Sequence, residues 1–425
     1  DPGAWKWKLF ATGFHNGCGI WAPEPGVVVV SQMAELTEAR DTDGDGTADQ
    51  HSNLSSAWGL SGNYHETGAL WPDGRGGYWL AIGTASHNGP TFFHPRGEFS
   101  AYGRRGRNFS SVPYRGWVLH YDGTTGETTP FCSGFRMHNG IYQDPDGRLW
   151  CGDNQGDWKA TTPLYHLEKG RFYGHPSSLV WDKEWPAGKD PLLTYRNDLR
   201  AYNRHRTLPA VQLPHGELCR SAAGLVEFPR DGSFSKHFAG QLLVADNNGK
   251  RLCRIMLEEV GGHYQGCATL FVNGNGLRSG NNRLRFSPDG RMLYVGQTVR
   301  GWGQPAEGLQ RITPKGSEPF DVARVSLTTD GFLLTFTRDL AGEPASADYR
   351  LRSYTYQSKW TYGSGQEDRR DHAVTVHKRS AREVEVTVEQ LEAGRVYQFD
   401  LGKIEAGDGA VLGNRLFCYT ANRLR

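Results

Sequence analysis

A chain of 425 residues is too long for one ordinary core and accommodates one large all-β ring with a smaller domain, or two to three conventional domains. Its 55 Gly, 18 Tyr and 13 Trp, with only 4 Met, favour strands and tight turns over helices. The formal charge of +2 and the lack of a Lys or Arg run argue against nucleic acid or an anionic membrane surface as a partner. No apolar run reaches the roughly 20 residues that span a bilayer.

The first three quarters of the chain repeat one pattern: a short strand, a P-D-G type turn, a second strand and often a third. Repeated units of this kind at a spacing of roughly 50 to 80 residues are typical of a β-propeller. We therefore predict an all-β fold with a six-bladed β-propeller over residues 1–318, five to seven blades being possible and the sixth lying between residues 155 and 219. The five copies are residues 9–32, 63–84, 130–155, 219–248 and 270–298.

The pattern stops after about Pro314, and alternating strands follow, among them "FDVARVSLTTDGFLLTFT" and "EVEVTVEQLEAGRVYQFDLG". Alternation with Gly-punctuated turns over about 100 residues is typical of a β-sandwich of the immunoglobulin or fibronectin type III kind. We predict such a domain over residues 319–425.

Polar side chains stand just before the first strand and just after the second strand of each repeat. Because an antiparallel pair goes out and comes back, these positions share one edge, and we predict that they converge on one funnel. Arg side chains near His138 and Asp153 would then hold an anionic ligand beside a base. For any single Asn or Asp, capping a strand or turn is the simpler interpretation. The set is His15, Asn16, Gln32, His65, Glu66, His87, His138, Asn139, Asp153, Asn154, Gln155, Asp246, Asn247, Lys250, Arg278, Asn281, Arg283, Gln297, Thr298 and Arg300.

A second motif, "DTDGDGTAD" at residues 41–49, spaces four carboxylates as D-x-D-x-D-G. Alternate side chains in such a loop fold around one hard cation, and Gly46 permits the tight bend. We predict a calcium site that stiffens the loop, although Ser52 replaces the Glu of an EF-hand and no helices flank the motif. The alternative is a flexible acidic turn. The predicted ligands are Asp41, Asp43, Asp45 and Asp49.

The seven Cys are scattered without C-x-x-C or C-x-x-C-H, which argues against a structural zinc site and covalent haem. Up to three disulfides with one thiol left over are possible. We therefore expect a mature protein of the periplasm or the extracellular space.

Several stretches together, "ARDTDGDGTAD", "HNGIYQDPDGRLWCGDNQGDW", "HLEKGRFYGHPSSLVW" and "GQTVRGWG" among them, resemble a bacterial family common in planctomycetes. Its members are known as membrane-bound dehydrogenase-type or glucose/sorbosone dehydrogenase-like propellers. The resemblance covers about residues 5–315. It implies a quinoprotein that oxidises an aldose or polyol with pyrroloquinoline quinone (PQQ) and calcium, and passes electrons to an external acceptor such as a cytochrome.

The resemblance also implies residue roles. His138 stands at the place of the general base, and Arg283 and Arg285 match an R-x-R that contacts the quinone carboxylates. Asn248 occupies the place of a quinone-binding Lys, and Lys250 follows two residues later. In this interpretation His138, with Asp153, takes a proton from a sugar hydroxyl. Cofactor contacts are expected from Arg283, Arg285, Lys250, Asn247 and Gln155, and substrate contacts from His65, Trp158, Trp302 and Arg300.

Two other classes remain open. A polysaccharide lyase or hydrolase would use His138 or His65 as base, Tyr64 as acid, and Arg278 or Arg300 on a uronate carboxylate. A non-catalytic adhesin or matrix protein would present the propeller and the sandwich as sugar-binding surfaces.

Overall fold

The computed structural model describes residues 6–63, 65–66, 68–87, 89, 91–92, 94–274, 276–298, 307–316 and 319–425. The chain forms two compact units. Unit 1 comprises Asp1–Lys159, Leu167–Thr207 and Ser358–Gly363, and unit 2 comprises Ala160–His166, Leu208–Gln357 and Ser364–Arg425. Regular structure is almost entirely antiparallel β, which confirms the predicted all-β class.

Unit 1 begins with two four-stranded sheets and a hairpin. The first sheet has the order β1-β2-β3-β4, and the second has the order β10-β9-β6-β5. Val29, Leu80 and Trp117 belong to a buried apolar cluster of this unit. The strands are β1 (Gly19–Glu24), β2 (Val27–Ser31), β3 (Leu36–Arg40), β4 (Gln50–Ser55), β5 (Gly68–Pro72), β6 (Tyr78–Ile82), β7 (Ala85–Ser86), β8 (Asn108–Phe109), β9 (Trp117–Tyr121), β10 (Thr128–Ser133), β11 (Gly140–Gln143) and β12 (Leu149–Gly152).

The predicted P-D-G turn closes the hairpin between β11 and β12. Asp144 accepts hydrogen bonds from the backbone N–H groups of Asp146 and Arg148, and Gly147 has a φ of 83°. A positive φ is open to Gly at no steric cost, so the turn depends on that residue. The hairpin thereby places residues 138–139 and 153–154 at the same edge.

The interval between residues 155 and 219 contains helices where the sequence analysis places a sixth blade. A 3-10 helix spans Pro176–Trp181, and it is followed by α1 (Pro191–Asn197) and α2 (Leu199–His205). Asp190 caps α1 by accepting from the N–H groups of Leu192 and Leu193. Five strand repeats are present among the described residues, within the predicted range of five to seven.

Unit 2 continues the repeats. β13 (Thr162–Leu167) pairs with β14 (Val211–Leu213). A four-strand meander and a three-strand sheet follow, and Phe228, Leu243 and Leu284 belong to their shared apolar cluster. These strands are β15 (Ala222–Glu227), β16 (Leu242–Asp246), β17 (Arg251–Val260), β18 (His263–Asn273), β19 (Asn281–Phe286), β20 (Leu293–Gln297) and β21 (Gly308–Ile312).

The C-terminal strands form the predicted β-sandwich. One sheet has the order β22-β23-β27-β26, and the other contains β29-β28-β24-β25. Phe332, Val386 and Phe399 lie in the apolar cluster between them. The strands are β22 (Val322–Leu327), β23 (Gly331–Phe336), β24 (Tyr349–Thr355), β25 (Glu367–His372), β26 (Val374–Ser380), β27 (Glu383–Val388), β28 (Arg395–Leu401) and β29 (Leu416–Ala421).

The sandwich and the fourth repeat share one eight-stranded sheet. β18 pairs with β29 from Gly266↔Thr420 to Thr269↔Phe417. Buried Arg254 of β17 also donates to the backbone O of Val322 at 2.8 Å. The predicted division at residues 318/319 therefore separates two strands of one continuous sheet, and that division stays a prediction.

The sequence allows up to three disulfides and contains no apolar run long enough to span a bilayer. All seven Cys are free thiols. Within the described residues, no helix is long and apolar enough to cross a membrane.

Truncation tests the shared sheet. Residues 1–318 alone would expose the edge of β18 that pairs with β29, and an unpaired apolar edge promotes aggregation. We expect this fragment to be insoluble or aggregated when the full chain is monodisperse, as measured by soluble yield and size-exclusion chromatography. A monodisperse fragment with a cooperative melting transition would instead establish the boundary at 318/319.

Candidate ligand-binding site

His138 lies at the strand-end edge of unit 1 and is deeply buried. Its side chain is 2% exposed and stacks on Phe135 with ring centroids 4.4 Å apart. Nε2 lies 3.0 Å from the Trp117 backbone O, so Nε2 carries the proton and donates. Nδ1 is then a bare acceptor, and it has no partner among the described residues. Burial lowers the pKa of His138 to about 4, against the attraction of the Asp153 carboxylate. The imidazole is consequently a neutral acceptor at pH 7.

Asp153 has both carboxylate oxygens occupied. Oδ1 accepts from the N–H groups of Met137 and Asn154, and Oδ2 accepts from the Arg136 N–H. The Lys159 ammonium lies 3.1 Å from Oδ2, and both side chains are buried. Burial acts to raise the pKa of Asp153, but Lys159 and the backbone N–H groups hold it below its usual value. Asp153 therefore positions the chain before β11 and has no exposed oxygen for chemistry.

A buried polar network that the sequence analysis did not identify lies beside this pair. His175 Nε2 is 3.3 Å from Asp157 Oδ2, and His175 Nδ1 is 2.9 Å from Ser177 Oγ. His175 and the Arg136 guanidinium, among other groups, lower the pKa of Asp157 to about 2 although burial opposes this. The order Ser-His-Asp is that of a hydrolase triad, but these buried side chains serve one another as hydrogen-bond partners, whereas His138 Nδ1 has none among the described residues. The network therefore has a structural role beside His138 and Asp153.

The other predicted residues of unit 1 have mixed surroundings. His65 is buried, with Nδ1 3.3 Å from Asn108 Nδ2. Gln155 is half-buried, and its carboxamide lies beside Gly363. The predicted sugar-stacking residue Trp158 is only 2% exposed and packs on Tyr202 at 4.9 Å, so it has no open face. A positive φ of 63° at Trp158 accompanies this inward placement, which no sequence pattern signals.

Unit 2 has its own strand-end edge, at the start of β15 and the end of β16. Asp246 accepts from the N–H groups of Arg220 and Ser221 at 3.1 Å each, as Asp153 does in unit 1. Next to it, buried Asn247 has neither side-chain atom hydrogen-bonded within the described part of the chain. Ser221 Oγ and Gln297 Oε1 are likewise buried and unpartnered there. This edge therefore offers free hydrogen-bonding atoms to a ligand.

The predicted quinone anchors do not form a set at that edge. Arg283 and Arg285 alternate with Leu284, which is in the core, so they project from the opposite face of β19 in mid-strand. Arg283 donates to the backbone O of Asn282 at 2.7 Å. Lys250 is exposed in the turn after β16, near Asn247. The two Arg therefore do not fit the carboxylates of a quinone held at the strand ends.

Three predicted residues, Trp302, Arg300 and Tyr64, lie outside the described residues. Their roles stay predictions.

The acidic loop brings three of its four carboxylates together. Oxygen atoms of Asp41, Asp43 and Asp45 all lie within 4.8 Å of one another. Asp49 is placed differently, since it accepts from the Thr42 N–H at 2.9 Å and closes the loop. Hydrogen bonds from Thr42 lower the pKa of Asp49. The Lys8 ammonium lies 3.8 Å from Asp45 Oδ1, where it would compete with a cation.

No family model and no curated protein sequence matches this chain. Among solved structures it is similar to a glucose dehydrogenase, with 14% identity, 73% of this chain and 87% of that chain covered, and a TM-score of 0.47. It is also similar to an oxidoreductase (glucose dehydrogenase) of Thermus thermophilus, with 17% identity, 72% and 86% coverage and a TM-score of 0.44. A Trichoderma reesei carbohydrate-active enzyme of family AA12 has 12% identity, 66% and 77% coverage and a TM-score of 0.46. TM-scores below 0.5 establish neither a shared fold nor a shared activity.

The environment of His138 predicts a pH-dependent stability. The unfolded imidazole titrates near pH 6.5 and the folded one near pH 4, so the unfolded state binds more protons between these values. The contribution of His138 to the free energy of unfolding is fully present above about pH 6.5 and is lost as the pH falls towards about 4. Between about pH 7 and pH 4, the free energy of unfolding of the wild type should fall by ~3 kcal/mol more than that of His138→Gln.

Urea unfolding across that range measures the difference. The exposed residue His263, changed to Gln, is the control and should track the wild type. Parallel pH profiles for the wild type and His138→Gln would contradict the buried, neutral state of His138.

Proposed function

We propose that this protein binds a sugar or polyol at its strand-end edges and oxidises it. One observation supports the proposed binding of a sugar. Buried polar atoms without partners among the described residues recur at the edge positions of four repeats: Ser31 Oγ, His138 Nδ1 and Asn154 Oδ1 in unit 1, and Ser221 Oγ, the Asn247 amide and Gln297 Oε1 in unit 2. A buried unpaired polar atom costs about 1 to 3 kcal/mol, which a ligand rich in hydroxyl groups would recover.

The proposed oxidation of the sugar rests on the sequence resemblance to quinoprotein sugar dehydrogenases. A quinone, when bound, would supply a hydride acceptor. Asn247 and Lys250 are the residues of unit 2 suited to its carbonyl or carboxylate oxygens, whereas Arg283 and Arg285 are not at the edge. We therefore assign no catalytic step to the quinone. An external electron acceptor and an extracytoplasmic location remain predictions from the sequence.

The role we assign to His138 is that of an oriented acceptor. Its bare Nδ1 can accept a hydrogen bond from a substrate hydroxyl, because Nε2–H is held by the Trp117 carbonyl. A pKa of about 4 makes it a weak base at neutral pH. Asp153 holds the backbone before β11 and thereby the position of this imidazole.

The same burial favours a second candidate, a non-catalytic carbohydrate-binding protein. His138 is a weak base, and both carboxylate oxygens of Asp153 are occupied. Such groups are adequate for recognition of a sugar, which needs only oriented donors and acceptors. The two functions differ in whether electrons leave the sugar.

Substrate-dependent dye reduction separates them. The full chain would be incubated with PQQ and calcium, desalted, and assayed with an artificial electron acceptor against a panel of aldoses and polyols. We expect quinone-dependent reduction, with kcat/KM lowered at least tenfold by Asn247→Ala because its amide would lose both ligand contacts. Ser235→Ala is the matched control, since Ser235 Oγ is also buried and unpartnered among the described residues of unit 2 but lies in the β15–β16 loop, at the opposite end of these strands from Asn247.

Two outcomes would contradict parts of this proposal. Sugars that raise the melting temperature without any dye reduction would reject the oxidoreductase and support the binding protein. No thermal shift and no reduction with any sugar would reject the carbohydrate site altogether.

We also propose that the loop at residues 41–49 binds calcium in a stabilising role. The three gathered carboxylates are suited to a hard cation. Asp43 and Asp45 each accept a backbone N–H through Oδ1, so Asn at these positions keeps the turn and removes the charge. Calcium should raise the melting temperature of the wild type by linkage, and Asp43→Asn with Asp45→Asn should abolish that rise.

Asp122→Asn is the control for this loop. Asp122 is another exposed turn carboxylate that accepts from Thr124 and Thr125, and its variant should respond to calcium as the wild type does. An unchanged calcium response in the double variant would place the ion elsewhere.

A further inference from the structure

A basic and aromatic surface lies in unit 1, next to the predicted residues Gln155 and Trp158. We call it the Arg–aromatic surface and define it by Arg107, Arg196, Trp360 and Tyr362. Arg107 belongs to the loop before β8, and Arg196 to the last turn of α1. The two rings come from residues 358–363, which belong to unit 1 although the flanking strands β24 and β25 belong to unit 2.

The segment that carries the rings is tied down by its backbone. The Trp158 N–H donates to the Lys359 O at 2.7 Å, and the Gly363 N–H donates to the Gly156 O at 2.9 Å. Gly363 has a φ of 66°, and a Cβ there would lie 2.7 Å from the Gln155 carboxamide carbon. A side chain at this position would therefore strain the backbone, and the two hydrogen bonds hold the segment against residues 156–158.

Both rings are open to solvent on part of their surface and are flanked by guanidinium groups. Tyr362 is 52% exposed, with Arg107 4.7 Å and Arg136 5.4 Å from its ring centroid. Trp360 is 39% exposed, with Arg196 5.4 Å away. Stacking orients a guanidinium without using its N–H groups, so the planar edge remains available to a carboxylate or sulfate.

The charges of these two Arg are not compensated. Among the described residues, neither Arg107 nor Arg196 forms an ion pair, whereas neighbouring Arg105 pairs with Asp190 at 3.0 Å and Arg136 with Asp157 at 3.4 Å. An aromatic ring that takes the apolar face of a sugar, next to a free guanidinium fork, is suited to a sugar that carries an acid group.

We propose that the Arg–aromatic surface is a subsite for acidic oligosaccharides, those with uronate or sulfate groups. The proposal rests on the proposed function in taking the ligand to be a carbohydrate, and it adds the class of sugar. Single-stranded nucleic acid also combines rings with anions, but it requires a continuous basic track. Along the chain, Asp182, Asp190 and Asp198 alternate with the basic residues of the helical segment, and the whole chain carries only +2.

Binding by the full chain to a uronic-acid tetrasaccharide and to a neutral tetrasaccharide of the same length tests the proposal. Titration calorimetry at low salt should show tighter binding of the acidic sugar. Arg107→Gln with Arg196→Gln should weaken that binding at least tenfold and leave the neutral sugar within about twofold. The matched control is Arg200→Gln with Arg204→Gln, which removes two exposed charges of α2 that stack on no ring in the described part of the chain.

Tyr362→Ala provides an independent check, because it removes a ring without changing charge and should weaken both sugars. Equal losses in the two double variants would overturn the subsite, since they would indicate general charge attraction. Equal affinity of the wild type for both sugars would also overturn the subsite. Tighter binding of an RNA tetranucleotide than of the acidic sugar would overturn it as well. If neither sugar binds, the proposed function fails as well, whereas binding of the neutral sugar alone rejects only this inference.

Discussion

One recurring interaction organises the strand-end edges of this protein: a side chain after the second strand of a repeat accepts hydrogen bonds from the backbone before the first. Gln32 does this for the His15 N–H at 2.7 Å, Asp153 for residues 136–137, and Asp246 for residues 220–221. Buried N–H groups must be paired, and an edge that is not continued by a strand has no ladder partner for them. These carboxylates and this amide therefore determine how the three repeats begin.

That constraint separates structural polar residues from those available to a ligand. Asp153 and Asp246 accept hydrogen bonds from backbone N–H groups. The side chains of Asn247 and Ser221 and the Nδ1 of His138 have no hydrogen-bond partner within the described residues. A polar residue beside a strand end is thus not evidence of a site until its partners are counted. Each unit therefore has its own leftover atoms for the proposed sugar, and in both units they are neutral donors and acceptors.

The acidic-sugar subsite depends on a different kind of placement. Residues 358–363 lie between two strands of the sandwich, yet their rings meet Arg107 and Arg196 of unit 1. A fold composed of repeats offers similar edges many times, and an inserted segment adds a feature that no other repeat has. Specificity for charge would therefore come from the insertion, while recognition of hydroxyl groups would come from the repeats.

The sequence by itself determined the all-β class, the repeats, the P-D-G hairpin at Asp144, the sandwich and the clustering of Asp41, Asp43 and Asp45. These depend on alternation, turn chemistry and short spacings, which act within a few residues. Only the tertiary structure decided that Trp158 is buried, that Arg283 and Arg285 face away from the strand ends, that His138 is a neutral acceptor, and that β29 extends the sheet of β18. Burial and pairing between distant segments depend on which surfaces meet in three dimensions, and a local pattern carries no record of that.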